Sequence, residues 1–212
     1  PPPPAPPAGF DVDVLIFGAG IAGASVAASL AGHRHARIIE AEDNPARHST
    51  GRSAALWHET YGGPLVQPLT IAGRSVIVTP DADFSDTSFF SPRPALTIGR
   101  AEDADAVAAF VTTFGGQGVD VRPLDHDGIA AHVPGVRAEW VHGAIEPDCG
   151  DIDVAALHAA YLRQAKRRGA ELVLRSAFRS AAWRDGGWDV DTAAGPLRAR
   201  TLVNAGGGWA DS

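Results

Sequence analysis

Residues 12–41 limit the fold more than any other part of the chain. Val12-Asp13-Val14-Leu15-Ile16-Phe17 is a short apolar, β-branched run, the pattern of a strand buried on both faces of a parallel sheet. It enters Gly18-Ala19-Gly20-Ile21-Ala22-Gly23 without a break. Residues 21–30 are small and apolar and suit a helix packed closely on a sheet, and residues 36–41 read as a second strand. Strand, helix and strand in so few residues form a βαβ unit. In such a unit Gly18 permits the tight turn, Gly20 lets a pyrophosphate approach the backbone, and Gly23 lets the helix pack against the strand. The helix N-terminus at Ile21 and Ala22 adds amide donors and its dipole to hold phosphate charge. Glu40, about 20 residues after Gly20, closes the second strand before Ala41, where a carboxylate accepts from both hydroxyls of an adenosine ribose and repels a 2′-phosphate. Glycine triplet, flanking strands, helix and acid together point to a dinucleotide site. The bare triplet would also fit a structural turn, and the fingerprint does not separate NAD from FAD.

The balance of the chain agrees with a soluble α/β protein. Of 212 residues, 45% are hydrophobic and 20% charged, which supports a buried core and excludes wholesale disorder. A net charge of −7 argues against a nucleic-acid partner. No apolar run is long enough for a transmembrane helix, and the proline-rich lead over residues 1–9, expected to be disordered, has no signal-peptide pattern. The single cysteine, Cys149, excludes an intrachain disulfide and is compatible with the reducing cytoplasm, where the protein is expected. Arginine almost replaces lysine, and Ala, Gly and Pro abound, as in GC-rich bacterial coding. There is no methionine, even at position 1, and the chain stops soon after a glycine-rich turn, so a piece open at both ends is expected.

Farther along, helices are expected over 53–59, 64–78, 102–114, 125–132 and 153–168, and strands over 95–99, 171–174 and 200–203. A hairpin is expected over 178–190, turning at Asp185-Gly186-Gly187 with Trp183 and Trp188 packed across it. Arg163, Lys166, Arg167 and Arg168 suit the negative end of the helix dipole better than a phosphate patch. Asp148, Asp151 and Asp153 read as turn and cap residues. His33, His35, His48, His58, His126, His132, His142 and His158 show no metal-ligand spacing, so no metal site is expected. Cys149 reads as a buried thiol in preference to a point of covalent cofactor attachment.

After the βαβ unit comes Ser49-Thr50-Gly51-Arg52-Ser53-Ala54-Ala55, a polar loop that brings hydroxyls and a cation to a helix start. Tyr61-Gly62, Ser91-Pro92-Arg93-Pro94, the stretch 148–153 and Asn204-Ala205-Gly206-Gly207-Gly208-Trp209 follow in order. This ordered set resembles the D-amino-acid oxidase/glycine oxidase superfamily of FAD-dependent oxidoreductases, and within it the D-arginine-dehydrogenase-like enzymes. The resemblance spans about residues 11–212, the N-terminal half of such an enzyme. It implies an α/β fold: a Rossmann-like FAD-binding domain with a parallel sheet, over residues 10–79 and 148–212, and part of an inserted α+β substrate domain over 80–147.

The resemblance also implies roles. Gly18 to Gly23 would bind the FAD pyrophosphate and Glu40 the ribose. Ser49, Thr50, Gly51, Arg52, Ser53, Ala54 and Ala55 would run beside the pyrophosphate, ribityl chain and flavin ring. Ala205 and Gly206 would come near the phosphates, and Tyr61 would touch the substrate. The implied reaction is hydride transfer from the α-carbon of a D-amino acid or related amine to flavin, giving an imino acid that hydrolyses to a 2-oxo acid and ammonia. Where enzymes for basic D-amino acids carry an acid after Ser-Pro-Arg-Pro, this chain has Ala95, and where they carry an active-site histidine it has Leu56. A neutral substrate is therefore expected. The arginine that clamps the substrate carboxylate would lie in a missing C-terminal half or a partner chain. A NAD-dependent dehydrogenase and a non-catalytic nucleotide-binding subunit remain the alternatives.

Overall fold

The computed structural model describes residues 5–211; Pro1 to Pro4 of the expected disordered lead lie outside them. Along the chain come β1 (Val12–Phe17), α1 (Ile21–Leu30), β2 (Ala36–Ile39), β3 (Leu56–Trp57), α2 (Gln67–Val78), β4 (Phe90–Pro92), β5 (Ala95–Gly99), α3 (Ala104–Gly115), β6 (Arg122–Leu124) and α4 (His126–His132). Then follow β7 (His142–Glu146), β8 (Gly150–Ile152), α5 (Val154–Arg167), β9 (Glu171–Val173), β10 (Phe178–Arg184), β11 (Gly187–Thr192) and β12 (Leu197–Asn204).

The chain forms two compact units. The first runs to Ser53, includes 83–85, and resumes at Val154. Its six-stranded sheet has the order β10-β11-β12-β1-β2-β9, parallel from β12 through β9 and antiparallel over β10-β11-β12. Val14, Ile16 and Ile38 pack with Ala27 and Ala28 of α1 and Ala165 of α5 in one cluster, while Val12, Leu15, Ile39, Val190 and Ala199 form a second. The alanines on α1 let this helix lie close to the strands, as its composition predicts. The hairpin turns through Asp185 and Gly186, both at positive φ, the demand of a type I′ turn. Trp183 and Trp188 face each other across it with ring centroids 5.3 Å apart. Cations in the last turns of α5 do local work: Arg168 donates to Ala28 O at 3.1 Å and Arg167 to Asp83 O.

The second unit comprises 54–82 and 86–153. It holds two three-stranded antiparallel sheets, β3-β8-β4 and β5-β7-β6, with α3 and α4 against the latter. Residues 54–79 and 148–153, expected in the nucleotide-binding domain, belong here. The helix expected over 53–59 is absent. A 3₁₀ turn at Thr50–Arg52 is followed by Ala55 at φ +49, and Leu56–Trp57 then pairs antiparallel with Gly150 and Asp151. Tertiary pairing overrides helix propensity there. The expected helix over 64–78 begins only at Gln67, with Pro68 in its first turn.

Candidate functional site

The carboxyl ends of β1, β2, β9 and β12 open into a cavity of about 560 Å³, within the usual range for a small-molecule site. A crevice outside the carboxyl ends of parallel strands is where open α/β sheets bind ligands. The glycines shape it by leaving atoms out. Gly18 sits at φ +100, and a Cβ there would overlap the carbonyl oxygen of Ala205; a Cβ at Gly23 would overlap that of Gly18. At Gly20 a Cβ would lie 3.1 Å from Thr50 Oγ1. The first amides of a helix have no acceptor within it; that of Ile21 finds Thr50 Oγ1 at 3.0 Å. Thr50 keeps its hydroxyl hydrogen to donate.

The peptide at Ala19 is held from both sides. Its N–H donates to Glu40 Oε2 at 2.8 Å, and its carbonyl oxygen lies 2.9 Å from Nε2 of buried His158 on α5. The other Glu40 oxygen accepts from the Glu42 amide at 3.0 Å. A carboxylate offers about four acceptor positions, so Glu40 retains capacity for a ligand. The irregular segment after β9 closes the crevice: Ser176 N–H donates to Glu40 O at 2.8 Å and Arg175 N–H to Glu42 O at 3.0 Å. Phe17 stacks on Phe178 at 4.5 Å, and His48 meets Trp209 at 4.5 Å. The mouth carries Arg47, paired with Glu42 and Asp43 at 3.4 and 3.3 Å, and His48, 2.9 Å from Glu42.

A family model described as DAO, FAD dependent oxidoreductase, matches residues 13–212. The chain belongs to this family. Its cofactor is accordingly FAD, which leaves the NAD-dependent alternative without support. Among solved structures, the chain is similar to glycine oxidase from Geobacillus kaustophilus, with a TM-score of 0.82 and 21% identity over 94% of this chain and 56% of that one. It is similar to L-proline dehydrogenase from P. horikoshii, with a TM-score of 0.81 and 18% identity over 94% of this chain and 54% of that one. L-amino acid deaminase from Proteus vulgaris gives 0.79 and 20% over 99% and 49%. The DAO-family chain thus spans about half the length of these relatives.

The cradle can accommodate an ADP-bearing group: the N-terminus of α1 and the side-chain-free Gly18 and Gly20 line it, and Glu40 retains acceptor positions. Of the residues expected there, Gly18, Gly20, Ile21, Ala22, Glu40, Ala41, Ser49, Thr50, Ala205 and Gly206 line the cavity. Gly23 lies behind it, and Gly51, Arg52 and Ser53 do not line it. The place of a Gly51 Cβ is filled by the Ala46 carbonyl, a reason for glycine independent of any ligand. Ala54, Ala55 and Tyr61 belong to the second unit. The sequence reading misses the wall made by Ser176, Ala177 and Phe178 and the contribution of His48 and Trp209. The only available signal was the strand over 171–174, whose place beside β2 is a fact of topology.

In the second unit the polar chemistry sits on side chains. Glu146 is buried; its Oε1 accepts from the Glu59 amide at 2.7 Å and its Oε2 from the Thr60 hydroxyl at 2.8 Å. His58 Nδ1 is 3.0 Å from Thr60 Oγ1, and its ring is 5.6 Å from that of Tyr61, which is largely exposed. Cys149 is fully buried, and burial pushes its thiol well above the ordinary range, assisted by a hydrogen bond to Glu146. A protonated buried thiol is a poor nucleophile. Ala95 pairs directly opposite Glu146, so their side chains share a sheet face. Asp151 forms a two-pronged pair with Arg93, at 2.8 and 2.5 Å, which holds its carboxyl below the usual range.

Proposed function

We propose that this chain is the FAD-binding portion of an enzyme that oxidises the Cα–N bond of a D-amino acid or related amine. The observation that carries the reading is the crevice at the carboxyl ends of the parallel strands, where the glycine loop, Glu40 and Thr50 meet. When bound, FAD supplies the acceptor for the hydride leaving the substrate α-carbon, and the imino acid released hydrolyses to a 2-oxo acid and ammonia. The amides of Gly20 and Ala22 and the hydroxyl of Thr50, which also anchors the Ile21 amide, hold the pyrophosphate. Glu40 takes the ribose hydroxyls while fixing the Ala19 amide. Residues 49–55, with Ala205 and Gly206, flank the rest of the cofactor, and Tyr61 contacts the substrate. The clamp for the substrate carboxylate comes from a further segment or a partner chain. The 212 residues alone are then not competent for turnover, and the cytoplasm is the site of action.

The substrate side chain is neutral in this reading. Ala95 and Leu56 bring no carboxylate to the substrate side chain, and Glu146, opposite Ala95 in the sheet, is the acid whose part the test below separates. A buried cation without a partner costs several kcal/mol. The test is anaerobic flavin reduction by a panel of D- and L-amino acids and glycine, compared as kcat/KM in the complete enzyme. Neutral D-amino acids are expected to exceed D-arginine and D-lysine. A preference for D-arginine that disappears in Glu146→Gln would move the counter-charge to Glu146 and overturn the neutral pocket. Absence of reduction by every amine, with flavin fully bound, would favour the non-catalytic subunit.

A further inference from the structure

Three donors of different chemistry converge in the second unit, and the function proposed above uses none of them. His58 follows β3, Glu146 ends β7, and Cys149 lies in the turn before β8. One ligating atom from each lies within 4.8 Å of the other two. His58 Nδ1 and Glu146 Oε2 are 3.5 Å apart. Donors bonded at about 2.0–2.3 Å to a tetrahedral ion stand roughly 3.3–3.8 Å from one another, so the cluster needs only a small closure to reach that geometry. The spacing in sequence gave no hint of it, because antiparallel pairing of β3 with β8, and the turn between β7 and β8, bring the three together.

Charge provides a second, independent observation. Glu146 is 4% exposed, and among the described residues its only ion-pair partner is His58. A buried carboxylate without a full cation is costly, and a divalent ion would offset that cost.

We propose that His58, Glu146 and Cys149 are three protein ligands of a zinc-class divalent cation, with water in the fourth position. The mixed nitrogen, oxygen and sulfur set suits a borderline-soft ion and is unlike the all-oxygen shells of calcium and magnesium. On binding, a metal–sulfur bond forms as the thiol proton leaves to solvent; no redox change occurs. The Glu59 amide and Thr60 hydroxyl, which already orient the Glu146 carboxylate, serve as its outer partners. The ion would tie the segment after β3 to the β7–β8 turn, within one unit.

The test is zinc loading of the flavin-bound protein by dialysis, followed by metal analysis and zinc X-ray absorption. Close to one zinc per chain is expected, with one sulfur at about 2.3 Å and nitrogen or oxygen neighbours at about 2.0–2.1 Å. Cys149→Ser should remove the sulfur neighbour, and His58→Gln should weaken retention by at least about 100-fold, the upper range for loss of a mere outer partner. Should Cys149→Ser fail to fold, a zinc-dependent rise in Tm that His58→Gln abolishes carries the same information, since His58 is partly exposed. Folded wild-type protein that retains no zinc, zinc without a sulfur neighbour, or retention indifferent to His58→Gln would overturn the site. Flavin content is read separately, so loss of zinc binding with flavin retained refutes the metal site alone.

Discussion

The two units place their polar chemistry in opposite ways. In the first, the crevice is built largely from backbone: the Ala19 peptide, the helix amides and the close approach of Gly18 to Ala205 and of Gly23 to Gly18. In the second, the polar groups are buried side chains, Thr60, Glu146 and Cys149, gathered by antiparallel pairing. A backbone site needs side chains to be absent at a few fixed positions, and a side-chain site needs particular atoms to arrive from distant segments. The first should therefore break when an atom is added and the second when one is removed.

Adding atoms gives the largest expected effect. Gly23→Val puts a branched side chain where the Gly18 carbonyl stands, so α1 must move off the strands. Overpacking of this kind costs about 1–3 kcal/mol or more, and the loop it displaces is the phosphate cradle. Flavin retention after gel filtration should be abolished and Tm lowered. Full flavin occupancy in this variant would end the claim that the crevice is made by backbone.

Removing a single atom from the second unit tests the other side. Thr60→Val keeps shape but deletes the donor to Glu146 Oε2. A buried acceptor left short costs about 1–3 kcal/mol, to be read in urea unfolding. Flavin affinity should stay within about twofold, since Thr60 belongs to the second unit and lines no part of the crevice. An equal fall in flavin affinity would erase the distinction between the units.

His158 is the intermediate case, a side chain that acts on the backbone site. His158→Leu removes the partner of the Ala19 carbonyl, a bond worth about 0.5–1.5 kcal/mol, so flavin should bind up to about tenfold more weakly. His158→Gln, which can donate, should recover part of the loss. A purely structural role would lower Tm in both variants and leave flavin affinity unchanged.

This contrast also explains what the sequence discloses. Val12–Phe17, the glycine loop, Ile21–Leu30 and Glu40 were readable because one local period and one spacing encode the βαβ unit. Thr50 was readable as part of a polar loop, but its bond to the Ile21 amide was not. His158 looked like any helix residue until the fold laid α5 beside the Gly18 turn. The meeting of His58 with Glu146 and Cys149 depends on strand partners far apart in the chain, and no local pattern records it. The same is true of the failed helix over 53–59, whose composition is helical and whose partner is β8.

The smallest expected effect lies at that failed helix. Ala55 has φ +49, a region that costs a residue with a Cβ roughly 1–2 kcal/mol. Its carbonyl accepts the Ile152 amide at 2.6 Å, a contact that fixes this conformation where the chain enters β3. Ala55→Gly relieves the strain but gives the unfolded chain more freedom, a loss of about 0.4–1 kcal/mol. The two terms oppose one another and leave a gain of roughly 0–1.6 kcal/mol. Ala54→Gly, at a position without positive φ, carries only the entropic loss and should destabilise. The measurement is the difference in urea midpoint between the two variants, and its sign is decisive. Equal destabilisation by both would mean that Ala55 is not held left-handed, and the entry into β3 would then be closer to the helix that its sequence favours.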